Sequence, residues 1–227
     1  GTGGVTEFLK QRVFLPFTGS YAELEHVLSH ELVHAFQVDI LFGRGLSPFA
    51  NPFSFQPPGW FMEGMAEYLS LGGVDTNTEM WLRDGALQGY LLTLSQLEYT
   101  YDIRAYRFGQ SIWEYIARRF GEEKVGQILK KTAQVRNVDR AIEYVTGVTL
   151  ERLSEDWLQD LRVTYLPQIA RNQKVSDFGR PLTKHEKDGS NFNVIPAVSP
   201  TGDKVAFISD RGLSSSLYLA SAIDGKP

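Results

Sequence analysis

The sequence predicts a mainly helical α+β protein, with a short edge strand near its N-terminus and an antiparallel β segment near its C-terminus. Three observations support this fold class. Helical periodicity with cap signals covers most of residues 20 to 170. Strand-like alternation dominates only after about residue 190. Hydrophobic side chains make up 42% of the 227 residues, which is enough apolar surface for a folded core.

The predicted elements begin with a strand and a long helix. Residues 11 to 17 form the strand, and the proline within it restricts it to a sheet edge or a strand end, because proline has no N–H to donate. Ser20 and Glu23 have the spacing of a capping box, which predicts a helix over residues 21 to 41. Residues 43 to 59 are rich in proline and glycine and predict a long loop.

The middle of the chain is predicted to be almost wholly helical. A second helix is expected over residues 60 to 71, between Pro-Pro-Gly and Gly-Gly. Helices then continue to about residue 170, starting where Thr76 and Glu79 suggest another capping box. Breaks are expected near residues 89, 101–102, 121, 137 and 147–149.

The composition changes near residue 171, where a polar stretch precedes the β segment. Alternating strands are predicted at residues 194–198, 204–209 and 216–220. We therefore predict a helical domain over residues 1–175, followed by a linker and a β segment over residues 176–227. The opening Gly-Thr-Gly-Gly resembles a linker, and we treat the sequence as an excerpt of a longer protein.

Composition excludes several classes of function. The formal net charge is -4, so the chain lacks the overall positive charge expected of a protein that binds nucleic acid. No apolar run approaches the roughly 18 residues of a membrane span, and the N-terminal pattern of a signal peptide is absent from this sequence. With no cysteine and 4 histidines, any metal must be held by His, Asp or Glu.

Three of the histidines lie close together in the first predicted helix. His30-Glu31-Leu32-Val33-His34 has the pattern H-E-x-x-H, in which an i, i+4 spacing places both imidazoles on one helix face. Both can then reach one Zn²⁺ ion. Glu31 lies beside the metal in this arrangement and is a candidate general base.

An alternative is that these histidines belong to an ordinary amphipathic helix in which Glu31 forms an ion pair. The distribution of side chains around the helix favours the metal site. The polar residues gather on one face, opposite an apolar arc. That arc comprises Leu24, Leu28, Leu32, Ala35 and Phe36.

A catalytic zinc needs a third protein ligand, and the second helix offers Glu63 and Glu67. These carboxylates are i, i+4 neighbours with no Lys or Arg nearby in sequence, so they repel each other unless a cation compensates them. One interpretation is a solvated helix face. The other is that one carboxylate ligates the metal while the other orients a ligand histidine.

The H-E-x-x-H helix followed by W-x-x-E-G-x-A-E-Y resembles the gluzincin metallopeptidases of the aminopeptidase N and thermolysin type. This resemblance implies a thermolysin-like catalytic domain, with Glu63 as the third ligand of one Zn²⁺ ion and Glu67 as a carboxylate that supports the ligands. Tyr106-Arg107-Phe108-Gly109 resembles the Tyr-x-Lys-Gly element of the aminopeptidase N group, which implies that Tyr106 stabilises the tetrahedral intermediate. The Gly-x-Met-Glu-Asn element that binds a free amino group is absent, so exopeptidase activity is unsupported by the sequence. Endo- versus exopeptidase activity is left undecided.

Other residues near the motif receive lesser roles. His26 lies one turn before His30 on the same face, where it either contacts substrate and metal-bound water or is an ordinary, partly exposed histidine. Gln37 and Asp39 are expected to contact solvent or the following loop. Residues 12 to 17 offer an edge strand with which the substrate backbone can pair.

The segment from residue 196 to residue 211 resembles the repeat of TolB-type β-propellers, with its Ser-Pro-x-Gly turn, apolar strand and Ser-Asp-Arg. The resemblance implies a partial propeller blade and a location in the bacterial periplasm, cell envelope or extracellular space. A plain β-hairpin is the alternative.

Together these patterns predict a zinc-dependent peptidase that acts on peptides or proteins, with Glu31 as general base. Two alternatives remain open. One is a catalytically inactive zincin-fold module that binds peptides or envelope partners together with a propeller. The other is a hydrolase of non-peptide amides, which would use the same catalytic residues.

Overall fold

The structure is a computed structural model that describes residues 3–7, 12–43, 55–169, 177–212 and 214–226. The chain divides into two compact units, Gly1–Gln168 and Ile169–Pro227. Helices dominate the first unit and a small antiparallel sheet dominates the second, so the mainly helical α+β class is confirmed. The predicted boundary at 175/176 lies outside the described residues, as do residues 44–54 of the predicted loop.

The first unit begins with two short antiparallel strands, β1 (Val5–Glu7) and β2 (Arg12–Phe14), in which Val5 pairs with Phe14. Strand β2 is shorter than the predicted strand at residues 11–17. Strand β1 was not predicted, because a three-residue strand directly after glycines gives no alternation long enough to detect. The glycines before β1 do not resemble a free linker in the structure, since Gly3 and Gly4 lie against side chains of the first helix.

Eight helices of the first unit follow. They are α1 (Tyr21–Phe42), α2 (Gly59–Leu71), α3 (Thr76–Gln88), α4 (Leu94–Leu97), α5 (Ile103–Phe120), α6 (Glu123–Val135), α7 (Val138–Thr146) and α8 (Leu150–Ile169). The predicted breaks near residues 89, 101–102, 121, 137 and 147–149 coincide with ends of these helices. Most of these helices end at a glycine, which accepts the backbone conformation of a helix terminus.

Both predicted capping boxes differ from the structure. At the start of α1, the Ser20 hydroxyl accepts a hydrogen bond from the Glu23 backbone N–H at 3.3 Å, but the Glu23 carboxylate accepts from the Thr18 hydroxyl instead of completing the box. Helix α3 is capped by Asp75 and not by Thr76, because the Asp75 carboxylate reaches the Thr78 N–H at 2.7 Å.

Helices α2 and α5 cross in very close contact at two glycines. A Cβ atom at Gly64 would lie 2.3 Å from the backbone carbonyl carbon of Gly109, and one at Gly109 would lie 2.5 Å from the carbonyl oxygen of Trp60. No side chain fits between backbones at these distances, so glycine is required at both positions. The crossing brings the carboxylates of α2 next to the first turns of α5.

The core of the first unit contains three tryptophans, one from each of α2, α5 and α8. Trp60, Trp113 and Trp157 are all at most 1% exposed. Trp113 donates its indole N–H to the Phe61 carbonyl at 3.0 Å, and Trp157 donates to the Ser111 hydroxyl at 3.0 Å. These two hydrogen bonds satisfy the buried indole N–H groups of Trp113 and Trp157.

Helix α1 turns its polar face, and not its apolar arc, towards the interior. Its buried residues are His30, Glu31, His34, Gln37 and Leu41. Three residues of the arc are exposed, with 40% of Leu28, 45% of Leu32 and 66% of Phe36 accessible. The sequence predicted that α1 has a polar face opposite an apolar arc. The structure adds that the polar face, which carries the histidines, is the one that packs into the interior of the unit.

The second unit contains the short helix α9 (His185–Asp188) and three strands, β3 (Asn193–Val198), β4 (Lys204–Ser209) and β5 (Ser216–Ser221). The strands form an antiparallel sheet in the order β3-β4-β5. The Arg211 guanidinium lies over the rings of Phe207 and Tyr218 at 5.1 and 4.7 Å, and stabilises this face of the sheet.

None of the described helices has both the length and the apolar composition needed to cross a bilayer.

Candidate metal centre and catalytic site

Helices α1 and α2 bring three potential metal ligands together. His34 Nε2 lies 3.0 Å from His30 Nε2 and 3.0 Å from Glu63 Oε2, and His30 Nε2 lies 3.3 Å from the same oxygen. The two histidines are buried on one face of α1, and Glu63 projects from the second turn of α2. Two helices therefore contribute three donor atoms to a single point.

These distances fit the donor set of a zinc site. A tetrahedral ion with ligands at about 2.0–2.1 Å keeps its ligand atoms roughly 3.3 Å apart, and two imidazoles with one carboxylate are a common catalytic set for zinc. The three separations of 3.0, 3.0 and 3.3 Å are close to that value. The residues present could thus hold one Zn²⁺ ion with small adjustments of their side chains.

A buried side-chain amide contacts the Nδ1 atom of His34. This Nδ1 atom lies 2.8 Å from Gln37 Oε1, and Gln37 Nε2 donates to the Met62 carbonyl at 2.9 Å. Gln37 is 0% exposed, so the expectation that it contacts solvent or a loop was wrong. It lies three residues after His34 and therefore on the same side of α1.

His30 has an anionic neighbour on its other side. His30 Nδ1 lies 3.0 Å from Glu67 Oε1, although the direction of the N–H is not that of an aligned hydrogen bond. Arg107 donates to the other oxygen of Glu67 at 2.9 Å, and the same guanidinium lies 3.6 Å from Asp75. Arg107 is therefore the cation that compensates Glu67, and it comes from α5.

His26 belongs to this second group of side chains. Its Nε2 lies 3.5 Å from Glu67 Oε1. Potential ligand atoms of His26, His30 and Glu67 lie within 4.8 Å of one another. This group suits a metal less well than the first, because Arg107 already neutralises Glu67 and because His30 would have to offer Nδ1 in place of Nε2.

The protonation states follow from burial and from these contacts. Burial alone would lower the pKa of His30, but the adjacent carboxylates of Glu63 and Glu67 outweigh it and raise that pKa to about 9. Burial would raise the pKa of both carboxyls, but the close contacts of Glu63 with the two histidines, and of Glu67 with His26, His30 and Arg107, outweigh burial and lower the pKa of each carboxyl to about 2. Both carboxylates are therefore ionised at neutral pH, and a metal that binds His30 has to displace its proton.

Glu31 is buried beside the histidines and is held by strand β1. The Thr6 hydroxyl donates to Glu31 Oε2 at 2.5 Å and lies 3.2 Å from the Glu31 carbonyl oxygen. The Gly4 backbone packs against the same carboxylate, because a Cβ atom at Gly4 would lie 2.6 Å from Glu31 Oε1. The candidate base is thus fixed in position by the N-terminal strand.

Tyr106 completes the arrangement from the first turn of α5. Its ring stacks on the His30 ring, with centroids 6.1 Å apart and planes inclined by 12°. Burial and the negative charge of Glu63 raise the pKa of Tyr106 to about 12. The phenol therefore keeps its proton at neutral pH and remains a hydrogen-bond donor.

A small cavity of about 130 Å³ opens between these groups. Its wall includes His26, His30, Glu31, Glu67 and Tyr106. Because one water molecule takes up about 30 Å³ of liquid volume, the cavity has room for a few waters or a small part of a substrate. The lining groups suited to acid–base or electrostatic catalysis come from α1, α2 and α5.

Four residues of this site were not identified from the sequence. They are Gly4, Thr6, Gln37 and Arg107. Gln37 carried a detectable signal, since its spacing from His34 places it on the ligand face. Arg107 lies within the Tyr106-Arg107-Phe108-Gly109 element, in which Phe108 occupies the position of the lysine in Tyr-x-Lys-Gly. Phe108 is fully buried, and Arg107 is the cation that contacts Glu67. Nothing in the local sequence connects Gly4 or Thr6 with Glu31.

The fourth histidine, His185, lies in the second unit. Its Nδ1 is 2.9 Å from the Ser190 hydroxyl oxygen and 3.1 Å from the Ser190 carbonyl oxygen. It therefore has local partners in its own unit.

Comparison with known proteins identifies one family. A family model described as "Peptidase of plants and bacteria" matches residues 16–157, which is more than half of the chain. The matched range includes α1, α2 and α5. No curated protein and no solved structure matches the chain.

Proposed function

The chain belongs to the family of peptidases of plants and bacteria, and from this membership we propose that it is a zinc-dependent peptidase of the gluzincin type. A peptidase acts on peptides or proteins, so its substrate contains a peptide bond. The finer proposal concerns the metal and the residues that carry out the reaction.

The observation that carries the proposal is the convergence of His30 Nε2, His34 Nε2 and Glu63 Oε2 within 3.0–3.3 Å of one another. These three residues would hold one Zn²⁺ ion and leave its remaining position open, as in catalytic zinc sites. When bound, zinc would act as a Lewis acid that lowers the pKa of a water molecule and polarises the carbonyl of the substrate.

Glu31 acts as the general base in this proposal. Its carboxylate takes a proton from the attacking water and later gives it to the leaving amine. Thr6 donates a hydrogen bond to Glu31 Oε2, so in this proposal Oε1 is the oxygen that takes the proton from the water. Tyr106 donates its hydroxyl proton in a hydrogen bond to the substrate oxygen as negative charge develops there.

Substrate binding is assigned to β1 instead of the predicted strand at residues 12–17. Strand β1 contacts Glu31 through Thr6, and β2 is its one strand partner among the residues that the structure describes. Its other edge can therefore pair with an extended substrate.

The test is the substitution Glu31→Gln, measured on a mixed peptide library with added zinc and with a chelator. The variant should bind one zinc per chain and lose peptide hydrolysis by at least about 10²-fold, because glutamine cannot accept the proton. Wild-type hydrolysis should disappear with the chelator and return with zinc. Hydrolysis by Glu31→Gln at the wild-type rate would refute the assignment of the base.

Substitutions of the ligands provide the matching controls. His34→Ala and Glu63→Ala should lose zinc, whereas Glu67→Ala should keep it with weaker affinity, because Glu67 contacts His30 Nδ1 and not the Nε2 atom proposed to bind the metal. Normal zinc binding by Glu63→Ala together with loss by Glu67→Ala would reverse the roles of the two carboxylates. A wild-type protein that binds zinc and peptides without hydrolysis would favour the alternative of a binding module.

For the second unit we propose a partial TolB-type propeller blade and, with it, a location in the bacterial envelope. The three-stranded antiparallel meander β3-β4-β5 supports the blade, since a blade is a four-stranded antiparallel sheet.

A further inference from the structure

We propose that Gln37 is a positioning residue that fixes the ring orientation and the tautomer of His34 for metal binding. This inference rests on the proposed function, because it concerns a ligand of the proposed zinc site. It adds a residue that the H-E-x-x-H pattern does not contain.

The orientation of the Gln37 amide follows from its partners. The Met62 carbonyl can only accept a hydrogen bond, so the Gln37 atom that lies 2.9 Å from it must be the amide nitrogen. The amide oxygen therefore faces His34, at 2.8 Å from Nδ1. One backbone carbonyl thus determines which end of the amide points at the histidine.

The tautomer of His34 follows in turn. An amide oxygen cannot donate, so His34 Nδ1 must carry the proton in this contact. A neutral imidazole has one N–H, which leaves the lone pair on Nε2. Nε2 is the atom that lies 3.0 Å from both His30 Nε2 and Glu63 Oε2, so the ring is presented in the form in which it can bind a metal.

Gln37 also connects the two helices that carry the ligands. It extends from α1, and Met62, which it binds, immediately precedes Glu63 on α2. Gln37 is 0% exposed, and a buried amide without hydrogen-bond partners would destabilise the fold. The two hydrogen bonds offset that destabilisation and hold His34 in register with Glu63.

Each ligand histidine has its own partner. His30 lies against the carboxylate of Glu67, whereas His34 lies against the neutral amide of Gln37. Removal of Gln37 should therefore weaken the metal site through His34 alone and leave the contacts of His30 in place.

The experiment compares Gln37→Met with a matched control, Gln110→Met. Gln110 is also 0% exposed, and its amide bonds to the Gly73 carbonyl and the Thr78 hydroxyl, neither of which belongs to a proposed ligand. Both variants remove a buried amide that has two partners. Zinc affinity should fall about 10- to 100-fold in Gln37→Met and stay at the wild-type value in Gln110→Met, measured by competition with a chromophoric chelator.

A conservative variant and a spectroscopic measurement separate positioning from packing. Gln37→Glu keeps an oxygen towards His34, so its zinc affinity should exceed that of Gln37→Met by roughly tenfold. In ¹H–¹⁵N spectra of the zinc-loaded wild type, the His34 Nδ1–H should give a signal protected from exchange, and this measurement does not depend on the folding of any variant.

Three results would overturn the inference. They are wild-type zinc affinity in Gln37→Met, equal losses in Gln37→Glu and Gln37→Met, and a His34 ring that binds zinc through Nδ1 in the wild-type spectrum. A wild-type protein that binds no zinc would instead overturn the proposed function, so the two failures can be told apart.

Discussion

At Glu31, the position of the carboxylate is determined by residues that precede its helix in the chain. Thr6 donates to one carboxylate oxygen, and the Gly4 backbone packs against the other. A general base must lie within hydrogen-bond reach of the proton that it takes, so small displacements of Glu31 affect the reaction more than they affect folding.

Gly4→Ala should therefore lower activity without removing the metal. The new Cβ would lie 2.6 Å from Glu31 Oε1 and 2.7 Å from Glu31 Cγ, so either the carboxylate or β1 has to move. We expect kcat for peptide hydrolysis to fall about tenfold, which corresponds to roughly 1.4 kcal/mol in the activation barrier. Zinc stoichiometry, measured in the same samples, should stay at one ion per chain.

Gly3→Ala is the control for this substitution. Its Cβ would meet only the Val27 Cγ2 atom, at 3.7 Å, which is an ordinary van der Waals contact. Its effect on kcat should be much smaller than that of Gly4→Ala. Equal effects at the two positions would mean that contact with Glu31 is not the cause.

The sequence predicted those site residues whose relation is local. His30 and His34 are one turn apart on one helix, and so are Glu63 and Glu67, so periodicity alone places each pair on a common face. The convergence of the two pairs, and the contacts of Thr6 and Arg107, depend on how distant segments pack. Periodicity carries no information about that packing, and the pairing of α1 with α2 was inferred from the need for a third metal ligand and from a family resemblance.

At the scale of elements, the crossing of α2 and α5 connects the carboxylates with Tyr106 and Arg107. Glu63 is adjacent to Gly64 in α2, and Tyr106 lies about one turn before Gly109 in α5. The two glycines allow the helix backbones to touch. Without this close approach, Arg107 would not reach Glu67 at 2.9 Å.

Gly109→Ala should destabilise the protein and impair the site. The new Cβ would lie 2.5 Å from the Trp60 carbonyl oxygen and 2.8 Å from the Gly64 Cα atom. Because these are backbone atoms, the helices would have to separate, at a cost of about 1–3 kcal/mol in the free energy of unfolding. Denaturant unfolding followed by circular dichroism measures this change, and zinc affinity should fall in parallel.

Gly126→Ala offers a contrast within another helix. A Cβ at Gly126, in the interior of α6, would meet no atom within 4 Å. Alanine should therefore stabilise the protein by roughly 0.5–1 kcal/mol through helix propensity. If Gly109→Ala, like Gly126→Ala, did not lower the free energy of unfolding, the α2–α5 contact would be looser than the structure indicates.

Elements with strong local signals were predicted well, and the others were not. Glycines mark the ends of several helices, including α3 at Gly89 and α5 at Gly121, so the breaks were visible in the sequence. Strand β1 has three residues and depends on pairing with β2, which no local pattern reveals. The apolar arc of α1 was visible too, but the sequence did not indicate that the histidine face would be the buried one.

At the scale of the whole molecule, every proposed site residue lies in one of the two compact units. The residues from Gly4 to Arg107 belong to the unit Gly1–Gln168, which also contains the entire range that matches the peptidase family, residues 16–157. Clusters of buried apolar residues, including the three core tryptophans, lie within that unit as well. The proposed catalytic residues and the hydrophobic core that supports them thus lie in the same unit.

A chain that ends at Gln168 should therefore fold, bind one zinc ion and hydrolyse peptides at a rate close to that of the full sequence. The hydrogen bond from Arg83 to Gln168, at 3.1 Å, is retained in this shorter chain, so α8 keeps its contact with α3. Circular dichroism, zinc stoichiometry and hydrolysis of the same peptide library provide the comparison. If the shorter chain is folded and helical but has lost zinc or activity, residues 169–227 contribute to the site, and the proposed ligand set of His30, His34 and Glu63 is insufficient by itself.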